Sequence, residues 1–204
     1  MLGASVFPAP QRDRAIQWVF LDRDGTLNAK PPDGEYIEHP EALELLPGAA
    51  EAVRAFNRAG VWTGVVTNQR GVALGRMSIE DLNAIHERLM HLLSAEGAFL
   101  DAIYVCWHQI GTCGCRKPDP GMLLKARSDH PGLDFARAAI VGDSPNDMQA
   151  GRRVGLTTVM ISADVRDQTT AVGVDHVVAD LAAAALVLTG DRDHPGGASA
   201  ERGG

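Results

Sequence analysis

Short apolar runs alternate with longer stretches in which apolar residues recur every three or four positions, and this alternation dominates the chain. Val19-Phe20-Leu21, Val61 to Val66, Ala102 to Val105, Ala138 to Val141 and Thr157 to Ile161 have the near-continuous hydrophobicity of strands covered on both faces. Ala49 to Ala59 follows Pro47-Gly48 and stops at Gly60, which predicts a helix. Ser78-Ile79-Glu80-Asp81 has the form of a capping box, and Ile79, Leu82, Ile85, Leu89, Leu92 and Leu93 mark the buried face of the helix that follows. His86 and His91 on that helix are five residues apart and share no face, so both are expected at the surface. A helix from Pro120, a short helix ending at Gly155, an edge strand at His176 to Val178 and a last alanine-rich helix complete the series. Strands alternating with helices predict an α/β fold: a doubly wound, mainly parallel sheet with helices on both faces.

Residues 1–14 and 190–204 lack periodicity and are rich in Gly, Pro and charge, so tails are expected there, flanking one domain at 15–189. A length of 204 residues suits one well-buried core. The excess of 26 acidic over 19 basic residues gives no support to a nucleic-acid partner. With no run long enough to span a bilayer and no leader pattern, a cytoplasmic, monomeric protein with a small-molecule partner is expected.

The chemistry lies where the apolar runs stop. Val19-Phe20-Leu21 ends in Asp22-Arg23-Asp24-Gly25-Thr26, and ligands of open parallel sheets sit at the carboxyl ends of strands. Two such close carboxylates repel unless a cation settles between them, and a hard ion with oxygen ligands, Mg2+, suits the pair. One aspartate could then attack as a nucleophile while the other exchanges protons with the leaving group; an ordinary Asp-Gly turn is the other reading. Asn28 to Tyr36 should loop over this edge, with Lys30 and Tyr36 as candidate substrate contacts. Thr67-Asn68-Gln69-Arg70 brings a hydroxyl and amides suited to phosphate oxygens, and Gly142-Asp143-Ser144-Pro145-Asn146-Asp147 brings further acids. Right-handed crossovers carry all these ends to one edge. There Asp22, Asp24 and Asp143 can enclose Mg2+, while Thr67 and Lys117 hold a phosphoryl group.

The three cysteines fall within one short segment, Cys106-Trp107-His108-Gln109-Ile110-Gly111-Thr112-Cys113-Gly114-Cys115. Cys106, His108, Cys113 and Cys115 form C-x-H and C-x-C pairs, which satisfy tetrahedral Zn2+ with no open position and therefore predict a structural site. Such an ion would also fix the direction of Arg116 and Lys117, which follow the last ligand.

Asp22-Arg23-Asp24-Gly25-Thr26, Thr67-Asn68-Gln69, Lys117-Pro118 and Gly142-Asp143-Ser144-Pro145-Asn146-Asp147 together resemble the four motifs of haloacid dehalogenase-like phosphatases, which have a Rossmann-like core. The resemblance implies that Asp22 attacks phosphorus to form an aspartyl phosphate and that Asp24 protonates the leaving oxygen, then activates water. It implies Mg2+ on the Asp22 carboxylate, the Asp24 carbonyl and Asp143. Asp147 would orient Lys117 or the ion's waters, or simply start a helix. The cysteine loop with C-R-K-P is similar to that of heptose 1,7-bisphosphate 7-phosphatases and of histidinol-phosphate phosphatases. The intervals between motifs leave no room for a cap domain, so short loops must set specificity. Arg23, Lys30, Asp33, Tyr36, Asn68, Gln69, Arg70, Arg116 and Ser144 are the substrate contacts this implies. Arg70 replaces a small residue frequent in such proteins, and with Arg116 it could supply positive charge for a sugar bisphosphate, whereas histidinol phosphate would gain from acidic neighbours. A catalytically silent phospholigand-binding module is the reading from another class, disfavoured because every acid the chemistry needs is present.

Overall fold

The computed structural model describes residues 15–163 and 173–190, so the expected tails lie outside the described residues except for Gly190. Among the described residues six strands form one sheet: β1 (Trp18–Leu21), β2 (Trp62–Asn68), β3 (Ala102–Cys106), β4 (Ala138–Gly142), β5 (Thr157–Ile161) and β6 (His176–Val178). Every pair is parallel, in the order β3-β2-β1-β4-β5-β6. Five α-helices among the same residues cover it: α1 (Ala49–Arg58), α2 (Ile79–Ala95), α3 (Gly121–Asp129), α4 (Pro145–Val154) and α5 (Leu181–Thr189). The expected doubly wound α/β architecture is the one observed, and its sheet is parallel throughout.

Period-two alternation along the strands builds two cores. Val19 and Leu21 of β1 with Ala139 and Val141 of β4 face the helices α1, α2 and α5. Phe20, Ala138 and Ile140 face α3 and α4, where Met122, Leu123, Ala126 and Ala150 pack. Phe20, Phe56, Leu89 and Ile140 are fully buried, each contributing about 1.5–3 kcal/mol of transfer free energy. Connections run outward from β1 to β3 on one face, then recross under the sheet through α3 to β4. The direction in which strands are added therefore reverses between β1 and β4, and a crevice opens beyond their carboxyl ends. The intervals between β1 and β2 and between β2 and β3 hold loops, a 3₁₀ turn at Pro40–Ala42, α1 and α2, with no inserted domain among the described residues.

Local signals set most boundaries. At α2 the Ser78 hydroxyl accepts from Asp81 N at 3.0 Å while the Asp81 carboxylate accepts from Ser78 N at 2.9 Å, closing the capping box. β2 runs two residues beyond its apolar segment because Thr67 and Asn68 pair with Val105 and Cys106 of β3. One expectation is corrected on α2: His86 is buried, only 7% exposed, because it falls on the same stripe as Leu82, Ile85 and Leu89. Ile79, expected on the buried face, is exposed at the first turn.

Candidate active site

The switch point brings Asp22, which follows β1, beside Asp143, which follows β4. Asp22 N donates to Val141 O at 2.9 Å, so the two strands hold these acids in register. Gly25 sits between them at φ +87°, where a β-carbon would overlap the Asp143 carboxylate. Gly142 plays the same part for Asp147, whose carboxylate carbon lies 2.5 Å from where a β-carbon would be.

Lys117 is the cation that lies between Asp22 and Asp147, and it comes from the segment after the cysteine loop. Its buried ammonium forms ion pairs with Asp22 Oδ1 at 2.8 Å and Asp147 Oδ1 at 2.5 Å and donates a hydrogen bond to Val66 O at 2.7 Å. The charges of Asp147 and Asp22 hold the Lys117 pKa above its ordinary value, although burial alone would lower it. Burial pushes Asp22 up to about 7, helped by the charge of Asp147 and opposed by Lys117. Burial also raises Asp147 despite Lys117. Asp147 caps α4 as well, its carboxylate accepting from Ser144 N at 3.2 Å, so the helix-start and lysine-orienting readings hold together.

One lysine thus serves two acids with a third nearby: oxygens of Asp22, Asp143 and Asp147 all lie within 4.8 Å of one another. Asp143 Oδ1 is buried without a hydrogen-bond partner, and Oδ2 accepts from Lys30 Nζ at 2.6 Å. An orphaned carboxylate oxygen amid like charges, with an ammonium already drawn to it, fits a hard divalent cation. The Asp24 carboxylate is not in this group. It accepts from Arg23, from Asn28 Nδ2 at 2.9 Å and from Gln69 Nε2 at 2.8 Å. Burial would raise its pKa, but the Arg23 charge and these donors hold it below the usual carboxylate range.

The cleft has a volume of about 270 Å³. Asp22, Asp24, Lys30, Asp33, Tyr36, Asn68, Gln69, Arg70, Arg116, Lys117, Asp143 and Ser144 all line it, as does Asp147. Two expected residues do not. Arg23 was assigned to the ligand, but its guanidinium is wholly buried and turns inward to Asp24 and to His86, 3.3 Å away. Thr67 lies beneath the cleft floor, accepting from Gln69 Nε2 at 2.8 Å, which leaves its own hydroxyl proton free to donate. Arg70 Nε donates to Tyr36 Oη at 3.2 Å, and Arg116 Nη1 is buried without an acceptor. Neither arginine is paired with a carboxylate among the described residues. The residues sequence reasoning missed are His86 and Asn28; the 82, 85, 86, 89 stripe could have flagged His86.

Beside the cleft, Cys106, His108, Cys113 and Cys115 converge. Cys106 Sγ lies 3.6 Å from Cys113 Sγ, Cys113 Sγ 3.4 Å from Cys115 Sγ, and His108 Nδ1 3.2 Å from Cys115 Sγ and 3.7 Å from Cys106 Sγ. A tetrahedral ion with Zn–S of about 2.3 Å and Zn–N of about 2.0 Å has edges of about 3.5–3.8 Å, close to these separations. Gly121 lets α3 abut the loop: a side chain there would strike Gly114 and Cys115, and Gly121 N donates to Gly114 O at 3.1 Å.

Comparison with known proteins agrees with this geometry. The family described as haloacid dehalogenase-like hydrolase matches residues 18–155. A protein of Mycobacterium tuberculosis (strain CDC 1551 / Oshkosh) named D-glycero-alpha-D-manno-heptose-1,7-bisphosphate 7-phosphatase is 39% identical over 68% of this chain and 73% of its own. One of Mesorhizobium japonicum, named for the beta anomer, is 39% identical over 76% of this chain and 71% of its own. Among solved structures, the D,D-heptose 1,7-bisphosphate phosphatase of B. bronchiseptica, complexed with magnesium and phosphate, superposes with a TM-score of 0.76 at 32% identity, covering 85% of this chain and 98% of that one. With the family matched across both acidic strand ends and the relatives covered over most of their length, the chain belongs to the haloacid dehalogenase-like hydrolases and is a phosphatase, a phosphoric monoester hydrolase.

Proposed function

We propose that this phosphatase hydrolyses the C7 phosphate of D-glycero-D-manno-heptose 1,7-bisphosphate, leaving heptose 1-phosphate. The observation that carries the substrate is the pair Arg70 and Arg116, which lines the same cleft as Asp22 with no carboxylate partner among the described residues, one of them with a buried orphan donor. Guanidiniums lining the same cleft without a carboxylate partner suit a second phosphate. Relatives named for either anomer match at 39% identity, and their shared designation as 7-phosphatases supports chemistry at C7.

Asp22 is the nucleophile in this reading, attacking phosphorus in line as the bond to the sugar oxygen breaks. The Asp22 carboxylate, the Asp24 carbonyl and Asp143 would hold Mg2+, whose charge offsets the repulsion between carboxylate and phosphate dianion. Lys117 holds Asp22 in place, and Thr67 orients Gln69 from below by accepting from its Nε2. Asp24 delivers a proton to the leaving oxygen, then takes one from the water that hydrolyses the aspartyl phosphate. In the free protein Asp24 is held as the anion; an arriving phosphate adds negative charge and favours its protonated form. Cys106, His108, Cys113 and Cys115 would close around Zn2+ and so fix Arg116 and Lys117 at the cleft.

The test is phosphate release with Mg2+ from the heptose bisphosphate and from histidinol phosphate side by side. The reading requires a kcat/KM advantage of several orders for the sugar. Equal or reversed preference would overturn it.

A further inference from the structure

We propose that Arg23 and His86 form a buried clamp that fixes the direction of the Asp24 carboxylate, making both positioning residues for proton transfer. The inference rests on the reading of Asp24 as the general acid.

Among the described residues Arg23 is the largest fully buried side chain, and its one acidic partner there is the residue next to it. Nε and Nη2 donate to Asp24 Oδ1 at 3.2 and 3.0 Å, and Nη2 also reaches Oδ2 at 3.1 Å. A buried ion pair contributes little net stability relative to apolar residues of the same volume, so stability is a poor account of this arrangement. Its geometric effect is definite. Both Asp24 oxygens accept from Arg23, with Asn28 on Oδ1 and Gln69 on Oδ2, while the side chain keeps about a fifth of its surface exposed and lines the cleft.

What aims the guanidinium is His86. Arg23 Nη1 lies 3.3 Å from His86 Nε2, and because a guanidinium only donates, Nε2 must accept. The ring is therefore neutral with its proton on Nδ1. Burial and the neighbouring Arg23 charge favour that state, with the Asp24 charge opposing. Leu82, Ile85 and Leu89 anchor the same stretch of α2 in the core, so the helix sets the ring, the ring sets Arg23, and Arg23 sets Asp24.

A proton donor matters most when the leaving group is a poor one, and this separates positioning from general damage. Single-turnover rates of leaving-group release, which read transfer to Asp22 ahead of the hydrolysis of the aspartyl phosphate, are compared for the sugar bisphosphate, whose alkoxide needs the proton, and p-nitrophenyl phosphate, whose phenolate leaves without it. His86→Leu should lower the release rate from the sugar about 10- to 100-fold with the half-saturating concentration changed less than about threefold, while release of p-nitrophenolate changes less than about threefold. His86→Gln, which restores an acceptor, should recover most of the loss. If His86→Leu does not fold, His86→Asn, whose acceptor falls short of Arg23, makes the same comparison. Equal losses on both substrates, or none on the sugar, would overturn the inference. Asp24→Asn is the control: if it too fails to discriminate between the leaving groups, the general-acid reading is at fault and not the clamp.

Discussion

Asn68 and Lys117 hold each other at both ends of one side chain: Asn68 Nδ2 donates to Lys117 O at 3.0 Å, and Lys117 N donates to Asn68 Oδ1 at 3.1 Å. The amide expected to reach substrate is thus committed to the backbone that carries Lys117. Asn68→Ala should misdirect Lys117, lowering kcat about 100-fold, and leave part-buried backbone groups unpaired, reducing stability by about 1–3 kcal/mol. Steady-state kinetics and urea unfolding check both; wild-type kcat would show that the amide does not position the lysine.

Asp22→Asn should abolish turnover, by about 10⁴-fold or more, because no other carboxylate faces phosphorus from the end of β1. The fold should persist, since the substitution removes one of several mutually repelling acids. Circular dichroism and phosphate release make the check, and residual hydrolysis near the wild-type rate would remove Asp22 from the nucleophile's role.

The cysteine loop should carry close to one equivalent of zinc when the protein is prepared without chelator. Cys113→Ser should lose the metal, loosen the loop and lower activity through Arg116 and Lys117. Elemental analysis with activity measurement tests this, and metal-free protein of full activity would contradict it.

His86 makes stability depend on pH. Its folded pKa is depressed to about 4 by burial and the Arg23 charge, against 6.5 for the free side chain, so the unfolded chain binds the proton more readily. The contribution is fully present above about pH 6.5 and is lost as pH falls toward 4. Between pH 7 and pH 5 it should amount to about 2 kcal/mol. Urea unfolding of wild type and His86→Gln at the two values isolates it; parallel pH dependence in both would contradict the assignment.

These residues also mark what the sequence made legible. Asp22, Thr67 and Asp143 could be placed because apolar runs terminate at them and parallel topology sends every such end to one edge. The cysteine cluster was legible because its four residues lie close together in the chain. Arg23 was not, since the direction of a long side chain beside two carboxylates depends on an acceptor 63 residues away that no local pattern carries. His86 was misplaced by comparing it with His91 when the apolar stripe around it held the answer. Asn68 looked like a ligand group because its partner is backbone, which sequence does not distinguish.

The central claim is the position of the bond that breaks, and ³¹P NMR of the heptose 1,7-bisphosphate with enzyme and Mg2+ reads it directly. The account predicts that one equivalent of inorganic phosphate appears as the C7 resonance vanishes, while the C1 resonance persists. Loss of the C1 phosphate, of both, or of neither would contradict it.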